Sequence, residues 1–324
     1  MSKVKKVGKL LRVSVICAFM LALIFSVSQF GTRTAEATVR NMSVHLVNVG
    51  GAGFIVELPD GKNMVVDAGV TADKQVFFDK LDSLGITTID YLVGTHQHVD
   101  HISNFDSIIN NYNVGKIVFP DNSPDDSTYY SDMAAAANNH GVTIKRVNAG
   151  GNIFPDVTLS NGLTLKTFVY SPSATADYSG DYDPVANPAA YVNSYSLVFN
   201  IKYGTRGILF TGDGMPPTQQ DVIANYPLTD IQAVVAPHHG WNGSQDPNFW
   251  DFLQSKSFNT ILIPNMNATG SVNTFKSDIQ TNRKADFRYY SSYANQDFYY
   301  RTDGSTWWPK SGSTAEFQDP TWSP

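Results

Sequence analysis

Seven histidines occur in 324 residues, and three of them fall within six positions in the run Thr95-His96-Gln97-His98-Val99-Asp100-His101. This run constrains the chain more than any other feature. It follows a short apolar stretch, Tyr91 to Gly94, that reads as a buried strand, so the histidines sit on a loop leaving a sheet edge. Alternate residues of an extended segment face the same way. His96 and His98 can therefore serve one ion, while Asp100 and His101, just past the turn, serve a second. Two further histidines, His238 and His239, are adjacent, and only His45 and His140 stand apart. The chain has a single cysteine, Cys17, so neither a disulfide framework nor a thiolate-rich metal site is available. Imidazole and carboxylate without thiolate suit Zn²⁺, with Mn²⁺ as the alternative.

The N-terminus is set apart from fold reasoning. Lys3, Lys5, Lys6, Lys9 and Arg12 precede an apolar run from Val13 to Val27, and Ala35-Glu36-Ala37 has the small-x-small pattern of a signal peptidase site. The apolar run of about fifteen residues is shorter than the roughly twenty that a membrane span needs. The expectation is a signal peptide over 1–37, cleaved to release a secreted chain with no stable membrane insertion, and one domain over 38–324. The first 37 residues carry six of the 23 bases and one of the 29 acids, which leaves a net charge of −11 on the rest. Tight nucleic-acid binding neutralises several phosphates with basic side chains. The acidic balance therefore counts against a nucleic-acid-binding module, though not against an enzyme that meets one phosphodiester at a metal.

Strand and helix signals alternate along the remainder. Met42–Asn48 and Phe54–Leu58 read as strands around the turn Gly50-Gly51-Ala52-Gly53, and Asp60-Gly61 turns the chain into a strand over Asn63–Asp67. Thr71–Leu84 reads as a helix with Val76, Phe77, Leu81 and Leu84 on its apolar face, and Tyr129–Asn139 as another. In the second half Asn161-Gly162 marks a hairpin, and Ser171–Asn187, with Asp177, Asp181 and Asp183, reads as a surface loop. Ser196–Ile201 and Arg206–Phe210 form a further hairpin before a helix near Pro217–Asn225. Short buried strands at Ile231–Pro237 and Thr260–Pro264, a helix near Phe275–Arg283 and aromatic strands near Tyr289 and Tyr299 complete the chain. Two similar halves of this kind predict two β-sheets face to face with helices outside.

With these blocks in place, the sequence resembles the metallo-β-lactamase superfamily, whose signature is this H-x-H-x-D-H. It is similar to the metal-hydrolase domain of ComEC-type competence proteins and their stand-alone relatives. Besides the histidine loop, the resemblance rests on Ser43–Gly50, Val65-Val66-Asp67-Ala68-Gly69, Asn193–Val198, Ile208–Asp213, Val234–Gly240 and Tyr300–Gly304. It implies an α/β, four-layer αββα sandwich with two facing mixed sheets, and a hydrolase using two divalent ions. His96 and His98 match ligands of the first ion, Asp100 and His101 those of the second, and Asp213 the bridging carboxylate. The last histidine ligand precedes a glycine, which favours His239 over His238. Asp67 matches a buried aspartate that orients a ligand. Asn193 and Ser196 stand where many members place another histidine. Asn48-Val49-Gly50-Gly51-Ala52-Gly53 lacks two acids usual there, and Ser103-Asn104 replaces the usual glycine pair.

Two cations roughly 3.5–4 Å apart make hydroxide available from a bridging water near neutral pH. Asp100 or Asp213 would accept the water proton. His238 would donate a proton to the leaving oxygen or hold the substrate, and Trp241 would wall the pocket. The expected function is a secreted phosphodiesterase acting on nucleic acid or on a cell-wall or lipid phosphodiester, with nucleic acid a partner only as substrate. An acyl hydrolase (ester, lactone or β-lactam) and a secreted surface-binding protein without turnover are the alternatives. The aromatic C-terminus (Tyr289, Tyr290, Tyr293, Phe298, Tyr299, Tyr300, Trp307 and Trp308) is expected to be mainly sheet and core.

Overall fold

Alternation of apolar side chains along the strands decides how the layers stack. The computed structural model describes residues 39–311, apart from 122, 125, 174–183, 257, 259, 265–272, 276, 280–287 and 292–297. The expected signal peptide and the Asp177, Asp181 and Asp183 loop lie outside the described residues, as do the side chains of Tyr289, Tyr290, Tyr293, Phe298, Tyr299 and Trp308. Among the described residues no helix is long and apolar enough to cross a membrane.

Strands β1 (Met42–Leu46), β2 (Gly53–Glu57) and β3 (Asn63–Ala68) run antiparallel. Past the short β4 (Thr88–Ile89), β5 (Tyr91–Val93) joins β3 in parallel. Past β6 (Asn113–Val114), which pairs with β4 in a separate two-stranded sheet, β7 (Lys116–Pro120) and β8 (Thr143–Val147) continue in parallel. The second sheet holds β9 (Val157–Thr158), β10 (Thr164–Ser171), β11 (Val198–Tyr203) and β12 (Arg206–Phe210), all antiparallel. Parallel strands β13 (Ala233–Val235), β14 (Thr260–Ile263) and β15 (Arg288–Ser291) complete it. The chain then returns to the first sheet, where β16 (Phe298–Thr302) pairs with β1, and β17 (Trp307–Ser311) with β16. The sheets have eight and seven strands, and both are mixed.

Parallel neighbours need crossover connections, and helices supply them. Helix α1 (Lys74–Ser83) links β3 to the next parallel strand, and α2 (Val99–Ile102) with α3 (Phe105–Asn111) spans β5 to β7. Helix α4 (Thr128–His140) links β7 to β8. In the second half, α5 (Pro188–Ser194) precedes β11, while α6 (Pro216–Asn225) and α7 (Pro247–Gln254) lead into β13 and β14.

The packing sorts side chains by strand parity. Phe54 and Val56 of β2, Met64 and Val66 of β3, and Ile208 and Phe210 of β12 share one cluster between the sheets. The intervening Ile55 and Val65 pack instead with Phe77, Leu81, Phe105 and Met133 from the helices outside the first sheet. On the second sheet, Leu209 and Val234 pack with Val222, Phe249, Trp250 and Leu253. The result is the helix–sheet–sheet–helix sandwich. One detail departs from the expected helix face: Val76 is 44% exposed, because α1 turns Phe77 and Leu81, with Phe78 beside them, onto the sheet. The expected loop up to Asn187 ends in α5, which Asn187 caps by accepting from the Ala190 amide. In the aromatic tail, Tyr300 is buried against Trp307, with ring centroids 4.3 Å apart.

Candidate metal centre

Each loop of the centre leaves the end of a strand. The turn after β5 carries His96, His98, Asp100 and His101, the turn after β12 carries Asp213, and the turn after β13 carries His238 and His239. Asp100 and His101 begin α2, whose start lies against the glycine turn between β1 and β2. The Ala52 amide donates to the Asp100 carbonyl at 3.0 Å. Gly51 has φ +83, and a Cβ there would lie 2.0 Å from that carbonyl oxygen, so only glycine permits the approach. Asn104 donates to the Ala68 and Val70 carbonyls, and Ser103 to the Gly69 carbonyl. These polar side chains tie the histidine loop to the end of β3.

Two groups of ligand atoms result. Asp100, His101, Asp213 and His239 form one and His96, His98 and Asp213 the other, each with its atoms within 4.8 Å of one another. Asp213 belongs to both. Its Oδ1 lies 3.2 Å from His101 Nε2 and 3.5 Å from His239 Nε2, and its Oδ2 lies 3.7 Å from His96 Nε2. His239 Nε2 is also 3.2 Å from Asp100 Oδ2, and His96 Nε2 is 3.0 Å from His98 Nδ1. His238 stands outside both groups, its Nε2 3.6 Å from Asp213 Oδ2. His238 and His239 have φ 47 and 53, a left-handed kink that turns consecutive side chains toward one carboxylate.

Buried partners set the imidazole tautomers. Asp67 accepts from the Thr95 amide, from Thr95 Oγ1 and from His101 Nδ1, each at 2.8 Å. With its proton spent on Asp67, Thr95 Oγ1 accepts from His96 Nδ1 at 3.1 Å. Both rings thereby commit Nδ1 to these partners and turn Nε2, the nitrogen a metal would use, toward Asp213. Ser196 Oγ accepts from the Asp213 amide at 3.0 Å, and Asn193, at the end of α5, is buried with its Oδ1 lacking a hydrogen-bond partner. Ser244 Oγ lies 2.6 Å from His238 Nδ1. His45 pairs with Glu57 and His140 with Asn110, both away from the centre.

The buried nitrogens fit a divalent cation. His101 Nε2 and His239 Nε2 make no hydrogen bond despite full burial, because the nearby carboxylate oxygens lie off the hydrogen-bond direction. A buried nitrogen left this way is costly unless something else takes its electron pair. The electrostatics agree. Burial opposes the charge on His101 and His239, but Asp213 and the other carboxylates outweigh it, raising His101 well above its usual value and pushing His239 up to about 9. Burial likewise opposes ionisation of Asp213, yet His101, His239 and His238 hold it well below the usual carboxylate range. Burial lowers His96, His98 and His238. The centre thus draws positive charge to the shared carboxylate.

Comparison with known proteins finds relatives of part of this chain. The sequence profile of the metallo-beta-lactamase superfamily matches residues 49–171, which include the histidine loop. Over those residues the chain is similar to the metallo-beta-lactamase superfamily. It is similar to ComE operon protein 3 of Bacillus subtilis, 28% identical over 187 residues that make up 57% of this chain and 21% of that protein. It is also similar to a UPF0173 metal-dependent hydrolase of Polynucleobacter asymbioticus, 33% identical over 93 residues, 28% of this chain and 33% of the relative. The chain therefore spans a third or less of these relatives' lengths. Among solved structures, the metallo-beta-lactamase fold protein YhfI from Bacillus subtilis aligns with a TM-score of 0.47 at 10% identity, covering 84% of this chain and all of that one. Members of the superfamily typically bind divalent metals, and this domain has a His/Asp cluster able to hold one.

The sequence reading reached the histidines, Asp67, Asp100, Asp213, Asn193 and Ser196. It did not reach Thr95 or Ser244, whose roles depend on contacts with Asp67 and His238. Trp241, read as a pocket wall, is half-exposed and stacks beside His238.

Proposed function

We propose that this chain is a two-metal hydrolase that cleaves phosphodiester bonds and is exported by its N-terminal segment. The observation that carries the reading is the sharing of Asp213 between two ligand groups. One carboxylate serving two sets of imidazoles is what a bridging ligand requires, and a single structural ion would not use it. His96, His98 and Asp213 would hold one ion, and Asp100, His101, His239 and Asp213 the other, with Zn²⁺ the expected metal and Mn²⁺ the alternative. Divalent ions there would supply Lewis acidity and acidified water near neutral pH.

The chain's own residues divide the remaining work. Asp67 and Thr95 hold His101 and His96 in the ligating tautomer. Ser196 fixes the turn that presents Asp213. Asp100, a third exposed, is the carboxylate of the cluster best placed to take a proton from attacking water. His238, held through Nδ1 by Ser244, directs Nε2 to the outer side of Asp213, where a leaving oxygen or a phosphoryl oxygen would lie. The resemblance to the metal-hydrolase domain of ComEC-type proteins supports a phosphodiester. The basic n-region from Lys3 to Arg12, the apolar run and Ala35-Glu36-Ala37 support export.

The test is to load the purified protein with Zn²⁺ or Mn²⁺, count ions per chain, and assay bis-p-nitrophenyl phosphate beside single-stranded DNA, nitrocefin and a lactone. Two ions with diester turnover are expected, with His98→Ala losing metal and turnover together. Two ions with acyl turnover alone would replace the phosphodiester reading, and no bound metal would end both.

A further inference from the structure

Trp241 lies on the same loop as His238 and His239, two residues beyond the ligand. It is 41% exposed, and of the four large apolar side chains this exposed among the described residues it is the one aromatic. Its ring makes an angle of 21° with the His238 imidazole, at a centroid distance of 6.2 Å. Since His238 Nε2 is 3.6 Å from Asp213 Oδ2, the two near-parallel rings form an aromatic shelf that begins beside the shared carboxylate and ends at the half-exposed indole. An indole left half in water gains by burial under a ligand, and its π face accepts another ring with little regard to polar detail.

The shelf is rigid before any ligand arrives. Gln245 Nε2 donates to the Pro237 carbonyl at 2.7 Å and to the Trp241 carbonyl at 3.0 Å. The Trp241 amide donates to the His238 carbonyl at 2.8 Å, and Gln219 Nε2 to the Ser244 carbonyl at 2.7 Å. These bonds close the turn behind the two rings, so ordering the platform costs the ligand little. Val99, between His98 and Asp100, is 42% exposed, and Asp100 Oδ2 meets His239 Nε2 at 3.2 Å where the two loops join. Against the opposing effect of burial, the groups that lower Asp100 and Asp213 are the neighbouring histidines. The half-exposed indole offers stacking as a contact beyond the scissile phosphate.

On the phosphodiester reading above, the geometry points to a substrate whose scissile phosphate carries a planar, uncharged aromatic ring that stacks on Trp241 and His238. A nucleobase and a simple aryl group share that chemistry. Trp241 is then the specificity-determining residue of the site, selecting aryl- or nucleoside-bearing diesters over alkyl ones.

Two measurements on the metal-loaded full-length protein test this, using wild type, Trp241→Ala and Trp241→Phe. Calorimetry with phenylphosphonate and methylphosphonate reads the shelf without turnover. Steady-state kinetics on the ethyl, phenyl and thymidine-5′ esters of p-nitrophenyl phosphate keep one leaving group and vary only the neighbour. Wild type is expected to bind phenylphosphonate about tenfold more tightly than methylphosphonate, the scale of one ring–aromatic stack, and to show the preference in KM more than in kcat. That ratio should fall to near one in Trp241→Ala and persist in Trp241→Phe. A larger gain for the thymidine ester than for the phenyl ester would identify a nucleobase, and equal gains a generic ring. A wild-type ratio near one, or a ratio indifferent to Trp241→Ala, would overturn the inference. Selective phenylphosphonate binding that depends on Trp241, with none of the three esters turned over, would retire the phosphodiester reading and leave the shelf standing.

Discussion

Asp67 occupies the left-handed region at φ 54, where a non-glycine residue is held only by its surroundings. Three hydrogen bonds to its carboxylate provide that hold, and the same bonds orient His101 directly and His96 through Thr95. Removing the carboxylate frees both rings to turn. Asp67→Ala is therefore expected to weaken metal binding about 10- to 100-fold, the usual cost of losing a ligand's orienting partner. A competition titration against a chromogenic chelator measures it, and an affinity equal to wild type would show that Asp67 orients nothing. At this scale the sequence was informative where chemistry is local. The spacing of His96, His98, Asp100 and His101 separates two ligand pairs without any structure. Thr95 and Ser244 carried no such mark, since serine and threonine beside a turn serve caps and loops far more often, and their partners lie 28 and 6 residues away.

Between elements, Gln219 on α6 joins the two loops of the second sheet. Its amide donates to the Gly214 carbonyl beside Asp213 and to the Ser244 carbonyl beside the His238 contact, and its oxygen accepts from the Asp246 amide. All three partners lie in a buried setting where a missing bond is costly. Gln219→Ala should lower stability by about 3 kcal/mol, read from urea unfolding, and a loss below about 0.5 kcal/mol would mean that the loops hold themselves. On the neighbouring strands β1 and β2, His45 and Glu57 form a separate, pH-dependent pair at 2.9 Å. The hydrogen bond with His45 is the largest influence on Glu57, and it holds the carboxyl below its usual value against the opposing effect of burial. A depressed carboxyl stabilises the fold above its unfolded pKa and ceases to do so as pH falls through the folded one. The stability difference between wild type and Glu57→Gln should accordingly be level near neutrality and shrink on acidification below the usual glutamate range. A difference that grows toward acid would refute the sign. Element reading from sequence succeeded for α1 and α4, whose apolar spacing and breaks are long enough to register. It missed α2, α3, α5 and α7, which are four to eight residues long and exist because tertiary contacts hold them.

For the molecule as a whole, the centre is a joint between sheets. His96, His98, Asp100 and His101 hang from the first sheet, while Asp213 and His239 hang from the second. The alternation of strands and helices in two similar halves announced two facing sheets before their order was known, because each sheet must bury an apolar face against another layer. The order itself was not legible, since the return of β16 to β1 spans the chain from end to end. Asp213 completes both ligand groups, so bound ions would tie the two sheets together at this edge. Anything bound to the folded state alone stabilises it by mass action, about 4 kcal/mol when present at a thousandfold its dissociation constant. Stripping metal with a chelator should therefore lower the thermal midpoint, and excess Zn²⁺ should restore it. The shift should scale with metal concentration in the logarithmic manner of linkage rather than saturate as an on–off change. In Asp213→Asn the metal-dependent part of the midpoint should be largely lost, because the variant weakens both groups at once. His98→Ala, which touches one group only, should keep a fraction of it. Equal loss in the two variants would mean that the groups fill as a single unit, and no shift in wild type would mean that the centre holds no metal.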